Sequence, residues 1–225
     1  MPNNIVRARP RRTPRLLTDK EITSLIQATA RLRSCPTFWR FTISTLLGLL
    51  ASTGMRIGEA LRLKLEDAHL DANPPHLSIL DTKFGKSRVV VLHPSVADRL
   101  RDYAAKRATS LGSNRAEAFL TRVTGKPLRY STIRRTFIRV IRRAGIASAG
   151  AATITLHSFR HSFAVKRLTL WHRAGENVSD LLPHLTVYLG HLDPRDTYWY
   201  LTATAELLEA ASARMEGHRQ EGGEG

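Results

Sequence analysis

Hydrophobic positions along the chain fall at helical intervals towards both ends and alternate in between. Thr18-Asp19-Lys20-Glu21 reads as a capping box, and Ile22, Leu25 and Ile26 follow at helical spacing. A second helix is predicted over residues 38–51; it is apolar nearly all round and should be buried. A third begins near Arg56 and carries Leu61, Leu63 and Leu65 towards its end. Then the period changes. Residues 76–80 and 88–92 read as strands, joined as a hairpin through Lys83-Phe84-Gly85-Lys86, and residues 118–120 as a third short strand. Ser95 can cap a helix running to about Arg107. Helices are predicted over 131–144, closed by Gly145, and 157–174, closed by Gly175. Shorter ones follow around 184–189 and 194–200, with a last one around 205–215. The strands are clustered rather than alternating with helices. The expected class is therefore α+β and mainly helical, with a small antiparallel β-sheet, and not a doubly wound parallel sheet.

Composition narrows what such a domain can do. Apolar residues make up 42% of the 225, enough for a core, so the chain is not disordered by composition. Lys and Arg outnumber Asp and Glu by 35 to 19, a net charge of +16, which points to a polyanionic partner, with nucleic acid first. The single cysteine, Cys35, excludes an internal disulfide and a multi-cysteine zinc site. The longest apolar run, 45–51, is far short of a membrane span, and the N-terminal arginines are not followed by the apolar stretch of a secretory signal. Residues 1–17 hold Arg7, Arg9, Arg11, Arg12 and Arg15, three prolines and no acid. They read as a flexible basic arm or as a merely solvated tail. Residues 18–216 form the expected domain, and 217–225, with four glycines, an expected disordered tail.

Five local features carry possible chemistry, each bland when taken alone. Arg56 and Glu59 in Thr53-Gly54-Met55-Arg56-Ile57-Gly58-Glu59 share a helical face, ordinarily a surface ion pair. Lys83 sits in the hairpin turn, where a lysine is usually just solvated. His157 and Arg160 share a face near a helix start, where the dipole favours an anion. A zinc pair of His157 and His161 lacks a third ligand at recognisable spacing, so no metal is expected. His191 follows a glycine, and Tyr198-Trp199-Tyr200 is an aromatic cluster of the kind that usually packs. Separately, Arg134, Arg135, Arg139, Arg142 and Arg143 fall on one half of a helical wheel, with Ile133, Phe137, Val140 and Ile141 on the other. That face suits phosphate contacts.

Taken in order, these features resemble the catalytic domain of the tyrosine recombinase (phage integrase) family. The T-G-x-R-x-x-E segment matches Arg56 and Glu59, the β-hairpin lysine Lys83, H-x-x-R His157 and Arg160, and L-G-H His191. The nucleophilic tyrosine of the family usually lies nine residues after that histidine, at Tyr200, with Tyr198 held in reserve. The resemblance runs from about Leu17 to about Met215. It implies DNA strand cleavage and religation through a covalent 3′-phosphotyrosyl intermediate, with no cofactor, metal or ATP. Arg56 and Arg160 would clamp the phosphodiester, His157 accept the tyrosine proton, Lys83 protonate the leaving 5′-hydroxyl, His191 bind a non-bridging oxygen and Glu59 brace Arg56. It also implies double-stranded DNA as partner, a homo-oligomer assembled cyclically through the C-terminal helix, a mobile-element role and a cytoplasmic, nucleoid-associated location. Family members usually carry a helical core-binding domain ahead of the catalytic one, whereas here the catalytic domain is expected to start almost at residue 18, as a fragment or as a short form. A catalytically unproductive DNA-binding fragment is therefore the competing expectation, and topoisomerase-like activity a third.

Overall fold

The computed structural model describes residues 15–81, 86–112, 116–146, 153–190 and 200–201. Helix α1 (Asp19–Ala30) starts at the expected capping box: Thr18 Oγ1 accepts from the Glu21 amide at 3.2 Å, and Glu21 Oε2 from the Thr18 amide at 2.8 Å. Most of the basic segment, residues 1–14, lies outside the described residues. Its end is docked: Leu17 is buried and its amide donates to Ser162 Oγ at 2.6 Å.

Helix α2 (Thr37–Thr53) is the buried spine that its all-round hydrophobicity predicts. Ile43, Leu46, Leu47, Leu49 and Leu50 are each no more than 1% exposed, and burial of each contributes roughly 1.5–3 kcal/mol. It stops at Gly54, whose φ of +63° favours glycine. A Cβ there would also overlap the Phe163 ring, so the same glycine lets the end of α2 press against a later helix.

Helix α3 (Ile57–Arg62) ends sooner than its leucines suggest. Leu61, Leu63 and Leu65 are two apart, which is an extended spacing, and Lys64 forms an isolated bridge to Ala118. The expected third strand over 118–120 amounts to that bridge alone. Phe119 and Leu120 are apolar because they are buried, not because they extend a sheet. The third strand is instead β1 (Ala68–His69), pairing antiparallel with β2 (His76–Asp81), which pairs with β3 (Lys86–Val91). Leu77, Ile79 and Val90 point into the core, while Leu80, Val89 and Val91 are exposed. Arg88 lies opposite Ile79, on the inward phase.

Helix α4 (Pro94–Leu111) is capped by His93, whose Nδ1 accepts from the Ser95 amide, so it begins just ahead of the serine expected to cap it. Helix α5 (Tyr130–Ala144) divides as its wheel predicts. Ile133, Phe137 and Val140 are buried, and Arg134, Arg135, Arg139, Arg142 and Arg143 are exposed. Helix α6 (Leu156–Arg173) precedes α7 (Val178–Leu189), which is capped by Asn177 and contains Pro183. Helix α7 begins six residues ahead of the helix expected around 184–189. Tyr200 and Leu201 are helical, and the helix expected over 205–215 lies outside the described residues.

The main core gathers α1, α2, the sheet, α4, α5 and the start of α6. A second cluster joins the later part of α6, α7 and Tyr200. Among the described residues no helix is long and apolar enough to cross a membrane.

Candidate active site

The seam between the two clusters is where the charged side chains of the motifs meet. Gly54 closes α2, and two residues later Arg56 is the N-cap of α3. One turn into α3, Glu59 accepts from the Arg56 amide at 2.8 Å (Oε2) and from Arg56 Nη1 at 3.1 Å (Oε1). The spacing seen in the sequence is thus a local lock, with the carboxylate fixing both the backbone and the guanidinium of Arg56.

Arg160, one turn into α6, is 1% exposed and joins the seam from the other side. Its Nη1 donates to the Gly54 carbonyl at 3.0 Å and its Nη2 to the Leu189 carbonyl at 2.7 Å. Its buried Nε has no partner among the described residues. Burial and the charge of Arg56 lower its pKa to about 10, against the opposing pull of Tyr200 and Glu59. It therefore remains a cation at neutral pH.

Glu59 is itself buried. Burial alone would raise its pKa, but the hydrogen bond and charge of Arg88, then those of Arg56, bring it below the usual 4.5. His157, exposed at the first turn of α6, has its pKa lowered from 6.5 by partial desolvation and by the charges of Arg160 and Arg56. Its ring packs edge-on against His161, 4.4 Å between centroids. His161 Nδ1 lies 3.1 Å from the Tyr200 hydroxyl, where either group can donate. Tyr200 is 1% exposed.

The fold thus brings together Arg56, Glu59, His157, Arg160 and Tyr200 of the residues singled out from the sequence. Lys83, His191 and the reserve tyrosine Tyr198 lie outside the described residues. Two neighbours were missed. Arg88, on β3, grips Glu59 through both oxygens at 3.0 and 2.7 Å; its place on the buried phase of a strand was the available signal. His161 was weighed only as a metal ligand, yet it meets the Tyr200 hydroxyl; its position one turn from His157 was the signal. Among the described residues no three His, Cys, Asp or Glu side chains form a metal site. The arrangement is a cluster of guanidinium groups and histidines with a buried phenol against one of the histidines; guanidinium forks match the oxygens of a phosphodiester.

Comparison with known proteins points the same way. The family model described as the phage integrase family matches residues 15–206. The integrase/recombinase-type proteins y4rE and y4rB of Sinorhizobium fredii are each 38% identical, over 89% and 96% of this chain. The chain spans 64% of the length of y4rE and 70% of y4rB. A crystal structure of the XerH site-specific recombinase bound to palindromic difH substrate, a post-cleavage complex, aligns with a TM-score of 0.69 at 23% identity. That alignment covers 91% of this chain and 54% of XerH, and the likeness is one of fold.

Proposed function

The chain belongs to the phage integrase family, and from that premise we propose that it is the catalytic part of a site-specific DNA recombinase, which breaks and rejoins strands through a 3′-phosphotyrosyl intermediate. The observation that carries this reading is the convergence of Arg56 and Arg160 beside a tyrosine hydroxyl that is hydrogen-bonded to a histidine.

In the proposed step Tyr200 Oη forms a bond to the scissile phosphorus and the bond to the 5′-oxygen breaks. The two guanidinium groups offset charge gathering on the non-bridging oxygens, which is the work a metal ion does in other phosphoryl transfers, so the step requires none. His157 takes the phenol proton, through or alongside His161, and Lys83 supplies one to the departing hydroxyl. His191 binds a non-bridging oxygen. Reversal by a second DNA hydroxyl reseals the strand, so no ATP is consumed. Tyr200 is 1% exposed, so attack requires it to leave its present position.

The test is incubation of the full chain with a nicked duplex that traps cleavage, followed by a denaturing gel. A slower protein–DNA band supports the reading. A native gel shift without that band supports a DNA-binding fragment instead. The lowered pKa of His157 adds a pH expectation. A base works when deprotonated, so the acid limb of adduct formation should have its midpoint below 6.5. In His157→Gln that acid limb disappears; a wild-type limb with its midpoint above 6.5 would count against His157 as base.

Duplex DNA is the proposed partner, with a homo-oligomer on it, since a palindromic site such as that in the XerH structure presents the same half-site twice. Cyclic coupling through the C-terminal helix is part of this reading. The exposed arginines of α5 supply phosphate contacts. Six neutralised phosphates give a slope of log K against log salt of roughly −5. Arg139 is tied to Ser34 and Cys35, so Arg134 and Arg135 are the better probes. Replacing both with serine should make the slope shallower by about 2, and an unchanged slope removes α5 from the interface.

A further inference from the structure

We infer that Arg88 is a positioning residue for the reaction proposed above, a guanidinium on β3 that holds Glu59, and through it Arg56, against the last turn of α7. This inference rests on that reading of the site.

The argument begins with the strand. Positions 88, 90 and 92 share one phase, and Val90 and Leu92 are buried while Val89 and Val91 are exposed. An arginine at the first of these positions is a charge on the core face, opposite Ile79. Stability does not require it, because a buried ion pair generally gains little over well-packed apolar groups. A guanidinium is retained here for its geometry. Nη1 and Nη2 meet the two oxygens of Glu59 as a fork, and Nε donates to the Tyr188 carbonyl at 2.8 Å.

That carbonyl is one of three consecutive ones at the end of α7, each taken by a different arginine. Arg88 holds that of Tyr188, Arg160 that of Leu189 and Arg56 that of Gly190, at 2.8, 2.7 and 2.6 Å. Helix carbonyl ends favour cations, and these three cations come from β3, α6 and the N-cap of α3. Gly190 is enclosed by two of them: a Cβ there would lie 2.8 Å from Arg88 Nη1 and 3.4 Å from Arg56 Nη1. Its φ of +67° likewise favours glycine.

Arg88 differs from the other two because its guanidinium alone forks across both oxygens of the carboxylate that orients Arg56, which reaches one with its guanidinium and the other with its amide. It also lies on β3, the strand that follows residue 83 in the chain, and it caps the helix end that precedes His191 in sequence. One side chain therefore links Arg56, the hairpin and the exit of α7. None of this requires Arg88 to touch DNA.

The experiment uses the full chain with Arg88→Lys, which keeps the charge and loses the fork, and Arg88→Met, which fills the buried phase without charge. Adduct formation on the nicked duplex at saturating DNA should slow about 100-fold in both, the scale expected when a reacting group is misplaced by about an ångström. DNA affinity and its salt slope should not change. The pair Arg88→Lys with Glu59→Gln should be no slower than the slower single variant, because both act through one linkage. Hydrogen exchange supplies an arm independent of activity: amides of the last turn of α7 should exchange faster in Arg88→Lys, while those of α2 keep their protection. If Arg88→Lys forms adduct within about twofold of the wild-type rate, the inference is wrong and the recombinase reading stands. Weakened affinity with an unchanged saturated rate would make Arg88 a DNA contact, which also overturns it. A wild type that forms no adduct overturns the recombinase reading instead. The exchange arm still decides the linkage in that case, with equal protection in the two chains refuting it.

Discussion

Tyr200→Phe is expected to abolish the protein–DNA adduct while leaving the domain folded and able to bind DNA. The substitution removes one oxygen. The ring keeps its place in the second apolar cluster beside Leu185 and Leu189, so the packing contribution is retained. What is lost in stability is the hydrogen bond to His161 Nδ1, about 0.5–1.5 kcal/mol. What is lost in chemistry is the nucleophile itself, and no change in pH or salt can restore it. Tyr198→Phe should form adduct at the wild-type rate. On the helix that the sequence predicts over 194–200, residues two apart are separated by roughly 200°, so both hydroxyls are not expected to face one phosphate. The denaturing gel distinguishes them: an adduct that survives Tyr200→Phe and vanishes in Tyr198→Phe would transfer the nucleophile to Tyr198. A second check is melting, where Tyr200→Phe should stay close to wild type; a large loss would mean that the missing adduct reports unfolding.

The residues of the candidate site were easier to find in the sequence than the way they are joined. Arg56 and Glu59, or His157 and Arg160, are near neighbours in the chain, so their spacing shows that each pair shares a helical face. The joining groups are backbone carbonyls of Gly54, Leu189 and Gly190, which carry no side-chain signature and are brought together only by tertiary packing. Arg88 was missed because the strand 88–92 was recognised by its valines, and a strand so rich in them looks complete without asking what the arginine faces. The same limit applies to the elements. Capping at Thr18 and the two-faced wheel of α5 are local patterns, and both elements form where expected. Strand β1 is only two residues long, and its identity depends on partners, Leu77 and His76, nine and seven positions away, so no local pattern announces it. Helix α7 extends further back than the 184–189 expected from its apolar positions, through Pro183 to the capping side chain of Asn177.

Glu59 is the position where loss of a single charge should cost the most stability. The carboxylate is buried and receives the Arg56 amide, Arg56 Nη1 and both Nη groups of Arg88. Glu59→Ala leaves the mostly buried Arg88 without its counter-charge, the situation that costs about 3–5 kcal/mol when one partner of a buried pair is removed. Glu59→Gln keeps the shape, but one acceptor oxygen becomes an NH₂ facing a guanidinium, so a loss of about 1–3 kcal/mol is expected. The pH dependence follows from the direction of the shift. The folded-state pKa lies below the usual 4.5, so the stabilisation is fully present above 4.5 and is lost as pH falls through the folded value. Urea unfolding of wild type and Glu59→Gln across pH should therefore give a stability difference that is flat from neutrality down to about 4.5 and shrinks only below it. A difference already shrinking well above 4.5 would mean that the carboxylate is not held by the two arginines as described. Activity supplies the complementary check. Because Glu59 orients Arg56 through both its backbone and its guanidinium, Glu59→Gln should slow adduct formation even under conditions where the variant remains fully folded. A folded Glu59→Gln that cleaves at the wild-type rate would show that Arg56 reaches the phosphate without its brace.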